Sequence, residues 1–271
     1  MNNRLRLLPI LAVVLIAAFT YFNSEKFTNP ETGKTARVGL SEGQEAALGL
    51  QSYQEVLSKA VVKNTGPEYD RVVRVARRLA KSTGEAGSKF QWAVSLIDSK
   101  QVNAFCLPGG KIVVYTGILP VAENDAQLAT VMGHEMAHAT SRHGSQRLLQ
   151  TKLANTVVSG AQVSMAGMDY GQQQAIMGAI GAGAQYGLLL PFSREHEVEA
   201  DYIGLMYMAR AGYDPQESLK FWQRMAQSAS SGQKPPEFAS THPSDETRMQ
   251  RLRDAMPKAM EEYNKSPLKN Q

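Results

Sequence analysis

The sequence predicts an α+β domain, mostly helical, with a small β-sheet beside a helix that carries a metal-site motif. Three observations predict it. Apolar residues recur at helical spacing in several stretches, among them 41–60, 68–81 and 123–150. Short, alternating, β-branched segments cluster between residues 90 and 115. Soon after that cluster, residues 133–139 read G-H-E-M-A-H-A. His134 and His138 are four residues apart, so on a helix both imidazoles share one face.

Composition supports a packed core. The chain has 271 residues, of which 43% are hydrophobic and 20% charged, the balance of an ordinary globular protein. The formal net charge of +4 is too mild for a nucleic-acid partner. A single cysteine, Cys106, excludes an intramolecular disulfide and leaves the redox compartment open.

The N-terminus points to export. Arg4 and Arg6 precede an apolar run over 7–22, a basic region followed by a hydrophobic one. Residues 1–22 therefore read as a signal peptide or an N-terminal signal anchor. No A-x-A site follows Ala17-Ala18, which favours the anchor, with its basic end cytoplasmic. Residues 23–40 are polar, contain Pro30 and Gly33, and read as a linker. The folded domain then runs over 41–265, with a polar tail at 266–271.

The elements follow in order. Ser41 caps a helix reaching about residue 60, and Gly66-Pro67 breaks the chain before the next, over 68–81. There Val72, Val75, Ala76 and Leu79 turn inward, while Arg71, Arg74, Arg78 and Lys81 form a solvated face. A membrane-surface contact is the rival reading of that face. Strands are expected over 90–97, 102–107 and 111–115, the last two joined by a Pro108-Gly109-Gly110 turn. That turn is not a phosphate loop, since no G-K-[ST] follows. Cys106 is a strand thiol rather than a nucleophile.

Residues 123–150 read as one long helix. Small residues recur over 155–190, including Gly160, Gly171 and Gly178. Polar side chains interrupt this stretch, which favours closely packed helices or an insertion over a cleft against a membrane-dipping hairpin. A helix over 191–211 ends at Gly212. Asp214 caps another with Pro215 at its first position, 228–236 is a loop, and Ser244 caps a last helix to about 263.

The chemistry centres on H-E-M-A-H. Two neutral imidazoles on one helix face can take two corners of a tetrahedral zinc site, and Glu135 beside them suits a general base. A catalytic zinc takes three protein ligands, so a third must come from elsewhere. His143 falls one residue short of the H-E-x-x-H-x-x-G-x-x-H spacing, and Ser141 stands at the glycine position. On a continuous helix His143 also points away from the pair, so it reads as a surface or helix-end histidine. The better source is S-R-E-H-E-V-E-A-D at 193–201. Glu197 and Asp201 share a helix face, where one carboxylate can bind metal and the other can accept the N–H of a ligating histidine. Glu195 and Glu199 lie on other faces, as surface charges. Spacing alone leaves Glu197, Glu199 and Glu195 open as the third ligand.

Four stretches together carry a resemblance: N-A-F-C-L-P-G-G at 103–110, G-H-E-M-A-H at 133–138, F-S-R-E-H-E-V-E-A-D at 192–201 and H-P-S-D-E-T-R at 242–248. In this order they resemble peptidase family M48, the zinc metallopeptidases that include CAAX prenyl proteases, HtpX heat-shock proteases, BepA-like periplasmic proteases and OMA-type mitochondrial proteases. The resemblance spans about residues 41–260. It implies a zincin-like (gluzincin) metalloprotease domain at 41–265 holding one Zn2+. The family's E-x-x-x-D pattern implies Glu197 as third ligand beside His134 and His138, with Asp201 as its hydrogen-bonding support. It also implies that His242 and Arg248 line the cleft, contact the substrate or transition state, and, for His242, block the open zinc position at rest. From the residues alone His242 is a turn residue before Pro243. The chain lacks the many membrane spans of the prenyl proteases, which fits the soluble or singly anchored branch.

The expected function is zinc-dependent endoproteolysis of unfolded or misassembled envelope proteins, with Glu135, His242 and Arg248 as catalytic residues. An edge strand at 102–107 or 112–115 would align an extended substrate. The expected place is the cell envelope, on the periplasmic side, either anchored to the inner membrane or released after signal cleavage. The alternative is an assembly factor or chaperone that binds such proteins and cleaves little.

Overall fold

The computed structural model describes residues 3–164, 171, 174, 194–230, 237–242 and 246–269. In chain order the elements are α1 (Asn3–Asn23), β1 (Glu25–Thr28), β2 (Thr35–Val38), α2 (Glu42–Ser58), β3 (Val62–Lys63), α3 (Pro67–Ser82), β4 (Ala93–Ile97), β5 (Ala104–Leu107), β6 (Lys111–Tyr115), α4 (Asp125–Thr140), α5 (His143–Ser164), α6 (Arg194–Arg210), α7 (Glu217–Ser230), α8 (Glu237–Thr241) and α9 (Glu246–Lys265). They form two compact units, a larger one of residues 29–34, 42–143 and 192–271 and a smaller one of 1–28, 35–41 and 144–191.

In the larger unit the sheet runs β3-β4-β6-β5. β4 and β6 are parallel, from Ala93↔Lys111 to Ile97↔Tyr115, and the outer pairs are antiparallel. The 102–107 and 111–115 segments pair as expected, from Ala104↔Val114 to Leu107↔Lys111, with β5 at the edge. β6 is buried from Lys111 to Val114, as a central strand's continuous apolar run requires.

α4 is the central helix. Its first turn is fixed by Asn124, whose Oδ1 accepts the Gln127 N–H at 2.9 Å. Every residue from Gln127 to Thr140 is buried, so its apolar residues surround the axis rather than forming one stripe. Close packing on α6 depends on two glycines. A Cβ on Gly133 would lie 3.0 Å from the Gly204 carbonyl oxygen, and one on Gly204 would lie 2.8 Å from the His134 backbone nitrogen. With no side chains at that crossing, the two helices bring their functional faces together.

The arginines of α3 lie on a partly exposed face, as expected, and are also engaged there. Arg71 and Arg74 converge on Asp125 at the start of α4, at 3.0 and 2.8 Å. Arg78 donates to the carbonyls of Ala211 and Leu268 at 2.6 and 2.8 Å. Three of the four cations therefore tie α3 to its neighbours, while Arg74 and Lys81 stay exposed.

The expected helix over 123–150 is two helices. α4 ends at Thr140 and α5 begins at His143. Between them Arg142 takes φ 55, a left-handed conformation costing a non-glycine residue on the order of 1 kcal/mol. Its guanidinium is held by Glu45 at 2.9 Å, and both side chains are buried. The left-handed position holds Arg142 and not a glycine, and Gly144 lies inside α5, so periodicity alone runs through the break. Asp214 accepts the Gln216 N–H at 2.9 Å, the contact of a capping residue with Pro215 at the first position, and the regular α-helix follows from Glu217. α7 continues through Ser230, into the stretch expected to be loop. The cap expected at Ser244 lies outside the described residues.

The smaller unit contains α1, the hairpin and nearly all of α5. Residues 25–28 and 35–38, read from polarity as part of a linker, pair as antiparallel strands from Glu25↔Val38 to Thr28↔Thr35. Gly160 meets α1, where a Cβ would lie 2.1 Å from a Val13 methyl. Leu11, Val14, Leu15, Ile16, Phe19 and Phe22 of α1 are exposed. Among the described residues no helix is long and apolar enough to cross a membrane; residues 1–2, part of the expected anchor, lie outside them. So does most of 165–193, and with it the expectation of packed helices or an insertion there.

Candidate metal centre

α4 supplies His134, Glu135 and His138, and α6 supplies Glu197, Glu199 and Asp201. Their ring nitrogens and carboxylates converge. His134 Nε2 and His138 Nε2 are 3.1 Å apart. Glu197 Oε2 is 3.4 Å from the first and Glu197 Oε1 is 3.2 Å from the second. His242, just past α8, brings Nδ1 to 3.1 Å from His134 Nε2 and 3.0 Å from Glu197 Oε2. His134, His138, Glu197 and His242 thus form a set whose ligand-type atoms all lie within 4.8 Å of one another. Of the three acids that spacing left open, Glu197 faces the histidines and Glu195 is exposed.

The faces turned away from this point are also engaged. His134 Nδ1 lies 2.9 Å from Asp201 Oδ1. Arg248 Nη2 donates to the same Asp201 oxygen at 2.5 Å, and Arg248 Nη1 donates to the His242 carbonyl at 3.1 Å. The Arg248 guanidinium sits 3.4 Å over the Trp222 ring. Trp222 and Phe238 stack at 5.7 Å and wall the His134 side. Glu135 Oε1 is buried, 3.3 Å from His242 Nε2.

Electrostatics follow from these contacts. Burial pushes the Glu135 carboxyl up from its ordinary value, the direction that suits a proton acceptor working near neutrality. Burial would also raise Glu197, but hydrogen bonds with His134 and His242 and the charge on His134 outweigh it and hold the carboxylate far below the usual range. Asp201 follows the same pattern, with burial outweighed by Arg248 and His134. Burial opposes the charge on His134, yet Asp201 and Glu197 raise it to about 9. Burial dominates at His138 and lowers it well below its ordinary value. Cys106 carries a thiol raised by burial, as befits a strand residue and not a nucleophile.

Two sequence readings need correction. His143 is not a surface histidine: it is fully buried, with Nδ1 2.9 Å from His138 Nδ1. The break at Arg142 turns it back toward α4. Glu199 is not a surface charge either. It is buried, 3.4 Å from His143 Nε2, and accepts from Asn29 Nδ2 at 3.0 Å and Thr32 Oγ1 at 2.7 Å. Nothing local marks Asn29 and Thr32, which reach the site from far along the chain.

An H-E-x-x-H helix facing a carboxylate helix, beside a small sheet, defines a metallopeptidase domain. The chain belongs to peptidase family M48, whose family model matches residues 68–256. It is 36% identical over 219 residues to the mitochondrial metalloendopeptidase OMA1 of Schizosaccharomyces pombe, covering 79% of this chain and 62% of that one. The Saccharomyces cerevisiae protein of the same name is 31% identical, over 88% of this chain and 71% of its own. The beta-barrel assembly-enhancing protease of Escherichia coli is 30% identical, over 88% and 50%. The chain thus spans 62% and 50% of the length of the first and last of these relatives, less than two thirds of either.

Proposed function

We propose that this chain is a zinc metalloendopeptidase acting on unfolded or misassembled proteins of a cell envelope. One observation carries the reading: His134, His138 and Glu197 converge on one point with Glu135 alongside, in a member of peptidase family M48. Nitrogen and oxygen ligands about 2.0–2.1 Å from a tetrahedral zinc stand about 3.4 Å apart. The three separations here, 3.1, 3.2 and 3.4 Å, fit that ion. The proposed holders of one Zn2+ are His134, His138 and Glu197, with Asp201 orienting His134.

Bound zinc would supply Lewis acidity toward a water and the scissile carbonyl. Glu135 takes the proton of the attacking water and passes it to the leaving amine. His242 occupies the fourth corner, where substrate chemistry needs room. We read this arrangement as the closed form. His242 must move out for turnover, after which it or Arg248 can donate toward the oxyanion. The edge of β5 is suited to pair with an extended peptide through main-chain hydrogen bonds, which makes few demands on sequence.

The envelope setting rests on the basic-then-apolar N-terminal segment, which we propose either anchors the chain to the inner membrane or is cleaved on export to the periplasm. The name of one relative, a beta-barrel assembly-enhancing protease, supports a part in protein assembly, and the others are named as mitochondrial metalloendopeptidases. The closed corner at His242 favours a second reading, an assembly factor that binds such proteins and cleaves little. Casein incubated with the zinc-loaded chain separates the two. Cleavage that stops with a chelator and in Glu135→Gln, while that variant keeps its zinc, supports the protease. Undiminished cleavage by Glu135→Gln would sink the mechanism.

A further inference from the structure

We propose that His143 is a positioning residue: as the middle link between Glu199 and His138, it fixes the tautomer that leaves the His138 Nε2 lone pair facing the metal point. This rests on the zinc reading above. The argument starts at the far end. An ionised carboxylate only accepts hydrogen bonds. Glu199 Oε1 takes the donors of Asn29 and Thr32, and Glu199 Oε2 faces His143 Nε2 at 3.4 Å. The proton of a neutral His143 therefore belongs on Nε2. Its Nδ1 is then a lone pair, and it meets His138 Nδ1 at 2.9 Å. Two ring nitrogens at that distance need one proton between them, so His138 carries its own on Nδ1. Its Nε2 is left bare to accept from His134 Nε2 at 3.1 Å, and it is the atom that stands 3.2 Å from Glu197 Oε1.

The chain is held on all sides. His143 is fully buried, and its ring stacks on His196 with centroids 4.2 Å apart and planes 19° apart. Asn29 Nδ2 also reaches Ser141 Oγ at 2.9 Å, tying Glu199 to the break that turns His143 inward. A carboxylate two side chains away thus prepares His138 for metal before any metal arrives. Orienting partners of ligating histidines act on ligand tautomer and basicity, and their loss costs about 10–100-fold in metal affinity.

The test compares the full chain with His143→Leu, His143→Asn and Glu199→Leu, each checked for a wild-type circular dichroism spectrum. Zinc affinity is measured by competition with a chromophoric chelator. The His138 tautomer is read from 15N shifts of the zinc-free protein. Leucine at 143 should weaken zinc binding by about 10–100-fold. Asparagine, which can accept from His138 Nδ1, should restore most of it. Glu199→Leu leaves every ring in place and should shift His138 toward the other tautomer. Should His143→Leu not fold, the Glu199→Leu shifts decide alone. Equal affinity in wild type and His143→Leu, equal loss in the leucine and asparagine variants, or an unmoved tautomer in Glu199→Leu would each overturn the proposal. Absence of zinc binding by the wild type would instead remove the zinc reading itself.

Discussion

The two histidines of α4 are held in different ways. His134 leans on a carboxylate directly: Asp201 lies 2.9 Å from its Nδ1, one turn along α6 from Glu197. His138 reaches its carboxylate, Glu199, only through the ring of His143. The direct arm needs nothing but the α4–α6 crossing. The relayed arm also needs the break at Arg142 and the turn carrying Asn29 and Thr32. The direct arm is therefore a property of two packed helices, and the relayed arm a property of distant segments brought together.

The largest effect should come from cutting the direct arm. Asp201→Ala removes the partner of His134 and the shorter of the two carboxylate contacts of the buried Arg248, leaving Glu197 at 3.5 Å. Zinc affinity should fall about 100-fold, and thermal unfolding should report a loss of roughly 3–5 kcal/mol. A variant with wild-type affinity would mean the direct arm does not orient His134.

The relayed arm has a vulnerability that the direct arm lacks. Glu45 holds Arg142 at the helix break, where both are buried. Glu45→Ala should cost about 3 kcal/mol by removing the carboxylate paired with that buried cation. The loosened break should also weaken His138, so the 15N signals of His138 and His143 should move while those of His134 stay. Equal movement of all three would erase the distinction between the arms.

This contrast also explains what could be read from the sequence. H-E-M-A-H and the Glu197/Asp201 pair lie on single helices, where residues four apart are neighbours whatever the tertiary structure. The strands around Pro108-Gly109-Gly110 were legible for the same local reason. His143 was misread because the break carries Arg142 at φ 55 rather than a glycine, so helical periodicity seemed to continue. Glu199, Asn29 and Thr32 meet only in three dimensions. His242 at the fourth corner was suggested by resemblance alone, since beside Pro243 it reads as a turn residue.

A change at the crossing should strike both arms together. A Cβ at Gly204 would sit 2.8 Å from the His134 backbone nitrogen. Gly204→Ala should push α6 away from α4 and cost roughly 1–3 kcal/mol. Zinc affinity should drop with the signals of His134 and His138 moving in parallel. Movement confined to one histidine would show that the arms do not share this crossing.

The smallest effect should come from the outer end of the relay. Thr32 Oγ1 donates to Glu199 Oε1 at 2.7 Å, and Asn29 donates to the same oxygen. Thr32→Val keeps the shape and removes one of the two donors. Stability should fall by about 1 kcal/mol, with at most a few-fold loss of zinc affinity, because Asn29 still holds the carboxylate in place. The value of this variant is its gradation. If orientation is passed inward from Glu199, the His138 tautomer should shift slightly with Thr32→Val and fully with Glu199→Leu. A full shift on losing Thr32 would make the threonine the keystone instead of the carboxylate. No shift in either variant would leave His138 held by its packing alone, and the two arms would differ in geometry but not in effect.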